Sequence, residues 1–145
     1  MRLADACRWR ADQDGLDAAL LAAVALADRM GDPTRSARAA IGTVEAAVWL
    51  PREYGPVNRP IVEALRRLLR QLPSQDGELG CRVMLALASE LYYADAPQER
   101  AALVEQGLAI ARRLDRPDLL VWAMTAAYQA TWLPATAEQR HGLAR

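Results

Sequence analysis

The chain has 145 residues, 18 basic residues balance 18 acidic ones, and 52% of the residues are hydrophobic. This length and composition indicate one neutral globular unit that can fill a core without disulfide or metal crosslinks, and zero net charge disfavours direct binding to nucleic acid. The two cysteines have no CxxC spacing, and no apolar leader or run of about 20 apolar residues is found, so we expect a cytoplasmic protein that is neither secreted nor membrane-spanning.

The first predicted hairpin of helices covers residues 16–50. Its first helix has apolar residues spaced by three or four positions, which lines one side of a helix: Leu16, Leu20, Ala23, Ala27 and Met30. Gly31 is expected to end this helix. Asp32 and Pro33 then form a helix start, and the second helix is predicted to run to Leu50. The short connection makes the two helices antiparallel.

The same layout predicts a second hairpin at about 60–93 and a third at about 96–133. A capping-box pattern at Thr136 predicts the start of a further helix over 136–145. Residues 1–13 carry a weaker amphipathic pattern, which fits the second helix of an incomplete preceding unit. The chain is therefore expected to be mostly helical.

The hairpins also repeat in amino-acid sequence. VALADRMGDP at 24–33 aligns without a gap with LAIARRLDRP at 108–117, and WLP occurs at both 49–51 and 132–134. The offset corresponds to two periods of about 42 residues, in the range of helical-hairpin repeats. We therefore predict an all-α fold, a right-handed, tetratricopeptide-like solenoid of helical hairpins with a period of about 40 residues, forming a single domain over 1–145. The tetratricopeptide signature itself is absent.

Residue types that carry catalysis or bind metals are sparse and scattered. His141 is the only histidine, and Cys7 and Cys81 are far apart in the sequence. This predicts no tetrahedral metal site and no pair of nucleophile and base, and the glycines form no phosphate-binding run. We therefore expect no catalytic, cofactor-binding or metal-binding residues, and a protein that is not an enzyme.

Two clusters of arginines occur where first helices of hairpins are predicted to end. They are Arg66, Arg67 and Arg70, and Arg112, Arg113 and Arg116. Cations are favoured there because the last carbonyl groups of a helix are exposed. The alternative is a shallow anion or nucleic-acid patch.

The connection 51–59 is the best candidate for a binding loop, because it is long and rich in proline and in the Arg, Tyr and Asn side chains that are common at recognition sites. The alternative is a rigid proline spacer between hairpins. A second candidate is a polar strip beside the aromatic residues that recur near the ends of second helices. Together the candidate partner- or effector-binding residues are Glu45, Trp49, Arg52, Tyr54, Asn58, Arg59, Ser89 and Gln129.

The third hairpin contains a series of short motifs. They are P-x-x-R-x-x-L at Pro97, Arg100 and Leu103, L-x-x-A-R-R-L at 108–114, an Arg116-Pro117 turn, and T-W-L-P-x-T-x-x-x-R at 131–140. This region resembles the helical C-terminal region of large bacterial signal-transduction ATPases, the regulators of the LuxR type and of the antibiotic-regulatory-protein type. The similarity covers about residues 20–140, without a Walker motif or a helix-turn-helix signature.

The resemblance implies a non-catalytic helical-repeat scaffold for protein–protein interaction or effector sensing in bacterial transcriptional regulation and signal transduction. The expected partner is a protein, a neighbouring ATPase or DNA-binding domain of a regulator, or a small effector. The chain is then a piece of such a regulator or a stand-alone relative. Apolar flanks on the end hairpins also predict self-association or a covering domain. The alternative is a small metabolite-binding protein or an enzyme that uses the concave helical pocket.

Overall fold

The computed structural model describes residues 2–10, 12–43, 55–132, 137 and 141–142. Within these ranges the protein is all-α, as predicted, with no strand. Its helices are α1 (Arg2–Trp9), α2 (Gln13–Arg29), α3 (Pro33–Ala40), α4 (Arg59–Gln71), α5 (Glu78–Glu90), α6 (Pro97–Leu114) and α7 (Pro117–Ala130). None of these helices is long and apolar enough to cross a membrane.

Short polar side chains cap the starts of three helices. The Asp12 carboxylate accepts the backbone N–H of the third residue after it at 2.9 Å, and the Asp32 carboxylate does the same at 2.9 Å. The Asn58 side-chain oxygen accepts the N–H of Ile61 at 3.3 Å. Each bond satisfies a donor that has no partner inside the helix, which fixes where α2, α3 and α4 begin.

The ends of the helices agree with the predicted turns at two places and differ at one. Gly31 and Asp115 adopt the left-handed conformation, with φ of 66° and 50°, just after α2 and α6. The α-helical part of α3, however, ends at Ala40 and continues as a 3-10 turn over Ile41–Thr43. The remainder of the helix predicted to reach Leu50 lies outside the described residues, as does most of the helix predicted over 136–145.

Helix α5 is the centre of the core. It contacts α3, α4, α6 and α7, and every residue from Gly80 to Glu90 except Arg82 is buried.

A smaller apolar cluster of Ala4, Cys7, Leu16 and Leu20 holds α1 against α2. The guanidinium of Arg8 adds a hydrogen bond of 2.7 Å to the Gly42 carbonyl, which fastens α1 to the turn after α3.

Consecutive helices contact one another along the chain, and so do some helices two positions apart. The α1–α2, α2–α3, α3–α4, α4–α5, α5–α6 and α6–α7 pairs are all in contact. Contacts between α2 and α4, α3 and α5, and α5 and α7 add to these pairs. Apolar residues of α2 to α7 share one buried cluster.

Four of the clustered arginines form ion pairs between chain segments. Arg66 makes two hydrogen bonds to Glu99, of 2.8 and 2.5 Å, between α4 and α6. Arg67 lies 2.7 Å from Asp28 and joins α4 to α2. Further along the chain, Arg113 pairs with Asp76, and Arg116 pairs with Glu78 and Asp118. Of these four arginines only Arg113 lies in the last turn of its helix, so the positions of the other three reflect their acidic partners instead.

Asp28 connects three helices. Its carboxylate accepts a hydrogen bond of 2.7 Å from the buried Ser36 hydroxyl and pairs with Arg67 on its other oxygen. Burial acts to raise the pKa of Asp28, but the hydrogen bonds from Ser36 and Arg67 outweigh it and hold the pKa below its usual value. Asp28 is therefore ionised at neutral pH and links α2 to α3 and α4.

Candidate functional site

The predicted loop site lies largely outside the described residues. Of the candidates in and beside the connection 51–59, the structure describes only Asn58 and Arg59. The Asn58 side-chain nitrogen donates a hydrogen bond of 2.5 Å to Asp17, so this residue both caps α4 and ties it to α2. Arg59 is exposed and lines a shallow pocket of about 490 Å³ that Tyr93 and Asp95 also line.

The other four of these candidates, Glu45, Trp49, Arg52 and Tyr54, lie outside the residues that the structure describes. Their assignment to a partner-binding site stays a prediction from the sequence.

The two remaining candidates are buried. Ser89 lies in the core and donates its hydroxyl hydrogen to the Leu85 carbonyl at 3.0 Å. Gln129 is buried near the end of α7. The structure therefore presents neither side chain as part of an accessible polar strip, because α5 is surrounded by other helices at the level of Ser89 and the Gln129 side of α7 faces the core.

A combined substitution tests the loop. Changing Arg52, Tyr54 and Arg59 together to Ala should reduce capture of a partner or effector at least tenfold, about 1.4 kcal/mol, and leave the melting temperature nearly unchanged. Changing the exposed Arg112 to Ala is the control, because it removes an arginine from another helix, α6. Unchanged capture together with unchanged stability would make the loop a spacer.

A groove of about 730 Å³ runs between α2, α3 and the beginning of α5. Its lining is mostly apolar, with several arginines. The lining residues are Ala23, Leu26, Ala27, Met30, Arg35, Arg38, Ala39, Ile41, Glu78, Leu79 and Arg82. The groove joins the first hairpin to the second and was not predicted from the sequence.

The groove exists because α2 has two apolar sides. One side packs into the core through Leu16, Leu20, Val24 and Ala27. On the other side Leu26 is 53% exposed and Met30 is 56% exposed. Met30 follows the last turn of α2 and lies at the groove, so the residues predicted to line one side of this helix do not all face the core. The signal for a second apolar side was present in the sequence, since residues 23, 26 and 30 follow helical spacing.

Arginines border the apolar floor on two sides. Arg35 and Arg38 of α3 are exposed, and Arg35 lies 3.5 Å from Asp32, a surface pair of the kind that contributes little to stability. On the opposite side, Arg82 donates to Glu78 at 2.9 Å and stacks over the Trp122 ring at 4.7 Å from its centroid. Arg82 is therefore held in place, whereas Arg35 and Arg38 can turn toward a bound molecule.

Among the described residues that line the groove, Glu78 is the only acidic one. Burial acts to raise the pKa of Glu78, but hydrogen bonds from Arg82 and Arg116 outweigh it, so the pKa lies below its usual value. Glu78 therefore stays ionised at neutral pH and serves to position these two arginines. The groove therefore suits a bound molecule whose apolar surface carries negative charge at its edge.

Cys81 is buried beside the groove floor rather than in it. Its thiol lies 3.2 Å from the Gly107 carbonyl oxygen, to which it can donate, and burial raises its pKa to about 11. The thiol is therefore protonated at neutral pH and is a poor nucleophile. Among the described residues, no group of three His, Cys, Asp or Glu side chains is arranged to hold a metal ion.

The P-x-x-R-x-x-L motif has a structural explanation. Pro97 is the first residue of α6, and Leu103 is buried in the core. Arg100 is buried and donates to the Tyr92 carbonyl at 2.8 Å and to the Leu91 carbonyl at 3.3 Å. It therefore satisfies carbonyl groups just beyond the end of α5 and fixes the turn between α5 and α6.

Comparison with known proteins provides no relative for this chain. No protein-family model matches it, no curated protein is significantly similar in sequence, and no solved structure is significantly similar in fold.

Proposed function

We propose that this chain is a non-catalytic helical-repeat scaffold that binds a protein partner or senses an effector in bacterial transcriptional regulation or signal transduction. The single observation that carries the proposal is the groove between the first two hairpins, with its exposed apolar floor and its arginine border. Apolar surface of this kind is costly to leave in water and marks interaction sites on soluble proteins. Arginine and methionine are enriched in such interfaces.

The repeat arrangement in this proposal is a tetratricopeptide-like solenoid. It is supported by the contacts between helices two positions apart, which stacked hairpins produce. In such an architecture each unit packs against its neighbours, and ion pairs between units hold them together. The pairs Arg66–Glu99 and Arg67–Asp28 have this role, since each joins helices of different hairpins.

The resemblance to the helical region of large signal-transduction ATPases suggests what the partner is. We expect an ATPase domain or a DNA-binding domain of a regulator, either as a separate protein or in the same polypeptide. This expectation rests on the motifs of the third hairpin, in which Arg100 fixes the turn between α5 and α6. Self-association of the scaffold is part of the same proposal.

A second candidate function is the binding of a small metabolite, with or without catalysis. The volume of the groove favours it, because about 730 Å³ lies in the range of small-molecule sites. Small-molecule sites bury most of their ligand, however, and Leu26 and Met30 are each more than half exposed. This exposure favours the protein partner.

The experiment is affinity capture with the tagged full chain from an extract of the encoding organism. Mass spectrometry should identify a protein retained in a stoichiometric amount, and native mass spectrometry of the same eluate reports any bound metabolite. An unrelated helical protein with the same tag is the control. Light scattering on the purified chain should report a mass above that of the monomer.

Two results would contradict the proposal. A metabolite that co-elutes with the chain in the absence of any specific protein would favour the second candidate. A strict monomer at high concentration would exclude self-association.

A further inference from the structure

We infer that the groove between α2, α3 and α5 is the docking site for an amphipathic helix of a protein partner whose apolar side is flanked by acidic residues. This inference rests on the proposed scaffold function and specifies the surface and the chemistry of the partner. It follows from the shape of the groove floor, the exposure of its large side chains and the charge along its border.

The groove floor has the form of one exposed helix side. Ala23 and Leu26 of α2 and Met30 just after it are separated by seven residue steps in total, which corresponds to about 10 Å along the helix axis. A partner helix that presents apolar residues at positions i, i+3 or i+4, and i+7 covers the same length. The small side chains of Ala27 and Ala39 lie in the same lining, so the partner backbone can approach closely.

The large side chains of the groove fit a helix better than a compact ligand. Leu26 and Met30 remain more than half exposed and therefore need an occupant that extends across them. Met30 has an unbranched, polarizable side chain that adapts to different apolar partners. Its sulfur lies 3.9 Å from a guanidinium nitrogen of Arg35, so apolar and charged contacts are offered side by side.

The charge on the border selects an acidic partner. Among the described residues, three arginines and one glutamate line the groove, and that glutamate is already paired with Arg82 and Arg116. Acidic residues beside the apolar stripe of a bound helix would meet Arg35 and Arg38, whose guanidinium groups form directional hydrogen bonds with carboxylates. Lysines at the same places would meet like charges, so a basic helix is disfavoured.

The test is a selection from a displayed library of helical peptides with fixed apolar positions and randomised flanking positions, performed against the full chain. We expect the selected peptides to carry Asp or Glu at the flanking positions. Labelled copies should bind the wild-type chain at least tenfold more tightly than either Met30→Asp or Arg38→Glu. Arg112→Glu, which reverses an exposed charge on α6, is the matched control and should bind like wild type.

A charge exchange separates direct contact from a change in folding. The Arg35→Glu, Arg38→Glu double variant should lose the selected peptide and bind a copy in which its flanking acids are replaced by lysine. Melting curves should show that all variants are folded, since residues 30, 35 and 38 are exposed.

Several results would overturn the inference. These are the absence of any selected peptide, selection of neutral or basic flanking residues, and binding that is unaffected by Met30→Asp. Occupation of the groove by dodecanoate without any peptide, or by a second copy of the chain, would assign it to another ligand. A captured protein partner that Met30→Asp still retains would overturn the docking site and leave the scaffold function standing, whereas failure to capture any partner would count against the scaffold function itself.

Discussion

Replacing Leu87 or Leu108 by alanine should lower the free energy of unfolding by about 2–5 kcal/mol. Leu87 in α5 is 1% exposed and Leu108 in α6 is 3% exposed, so either truncation leaves a cavity that neighbouring helices close only in part. The effect is large because isolated helices of this length are marginal in water, and the packing between helices supplies most of the stability. Urea titration followed by circular dichroism measures the change.

Leu26→Ala is the matched control for these truncations. The side chain has the same size and also lies in a helix, but it faces the groove and is mostly exposed. The expected change is within about 0.5 kcal/mol. A loss below about 0.5 kcal/mol at Leu87 or Leu108 would show that these two side chains do not face a packed core.

The helix starts could be predicted from the sequence because their chemistry is local. Asp32 caps α3 through a hydrogen bond to a residue three positions away, and the proline beside it is restricted to a conformation that suits the first turn. The left-handed conformations of Gly31 and Asp115 likewise follow from short stretches of chain. Local pattern therefore located the turn between α2 and α3, where Gly31 ends one helix and Asp32 and Pro33 begin the next.

The pairing of the arginines could not be predicted in the same way. Arg66 contacts Glu99, 33 positions away, and Arg116 contacts Glu78, 38 positions away. Such partners become neighbours only after the hairpins have packed. The prediction of arginines in the last turns of α4 and α6 holds for Arg70, Arg112 and Arg113. The sequence contained no local signal for the pairs that Arg66 and Arg116 form.

The groove escaped prediction for a related reason. Its floor comes from α2, and its arginines come from α3 and α5, so no single stretch of sequence contains the site. The apolar spacing over residues 16–30 predicted one apolar side, although residues 23, 26 and 30 form a second one. The predicted strip failed to appear at Ser89 because residues near the end of α5 are enclosed by other helices, a property that helical periodicity does not report.

Gly80→Ala should also destabilise the protein, by about 1–3 kcal/mol, even though alanine favours a helix over glycine by about 1 kcal/mol. Gly80 lies in the first turn of α5, and the turn that follows α4 folds back against it. A Cβ atom at this position would lie 2.0 Å from the Gln75 carbonyl oxygen and 2.5 Å from the Gln75 carbonyl carbon. These are backbone atoms, so relief requires the whole turn to shift.

The neighbouring Gly77→Ala provides the control for the Gly80 substitution. Gly77 is the residue just before α5, it has an ordinary φ of −114°, and an added Cβ there has no neighbouring atom within 4 Å. Its replacement should change stability by no more than about 1 kcal/mol, the usual effect at a helix cap. Thermal and urea unfolding of the two variants should therefore rank Gly80→Ala as the more damaging. If Gly80→Ala matched or exceeded the wild type in stability, the turn after α4 would not lie against the start of α5. The backbone contact that positions Glu78 and Arg82 at the groove would then be excluded.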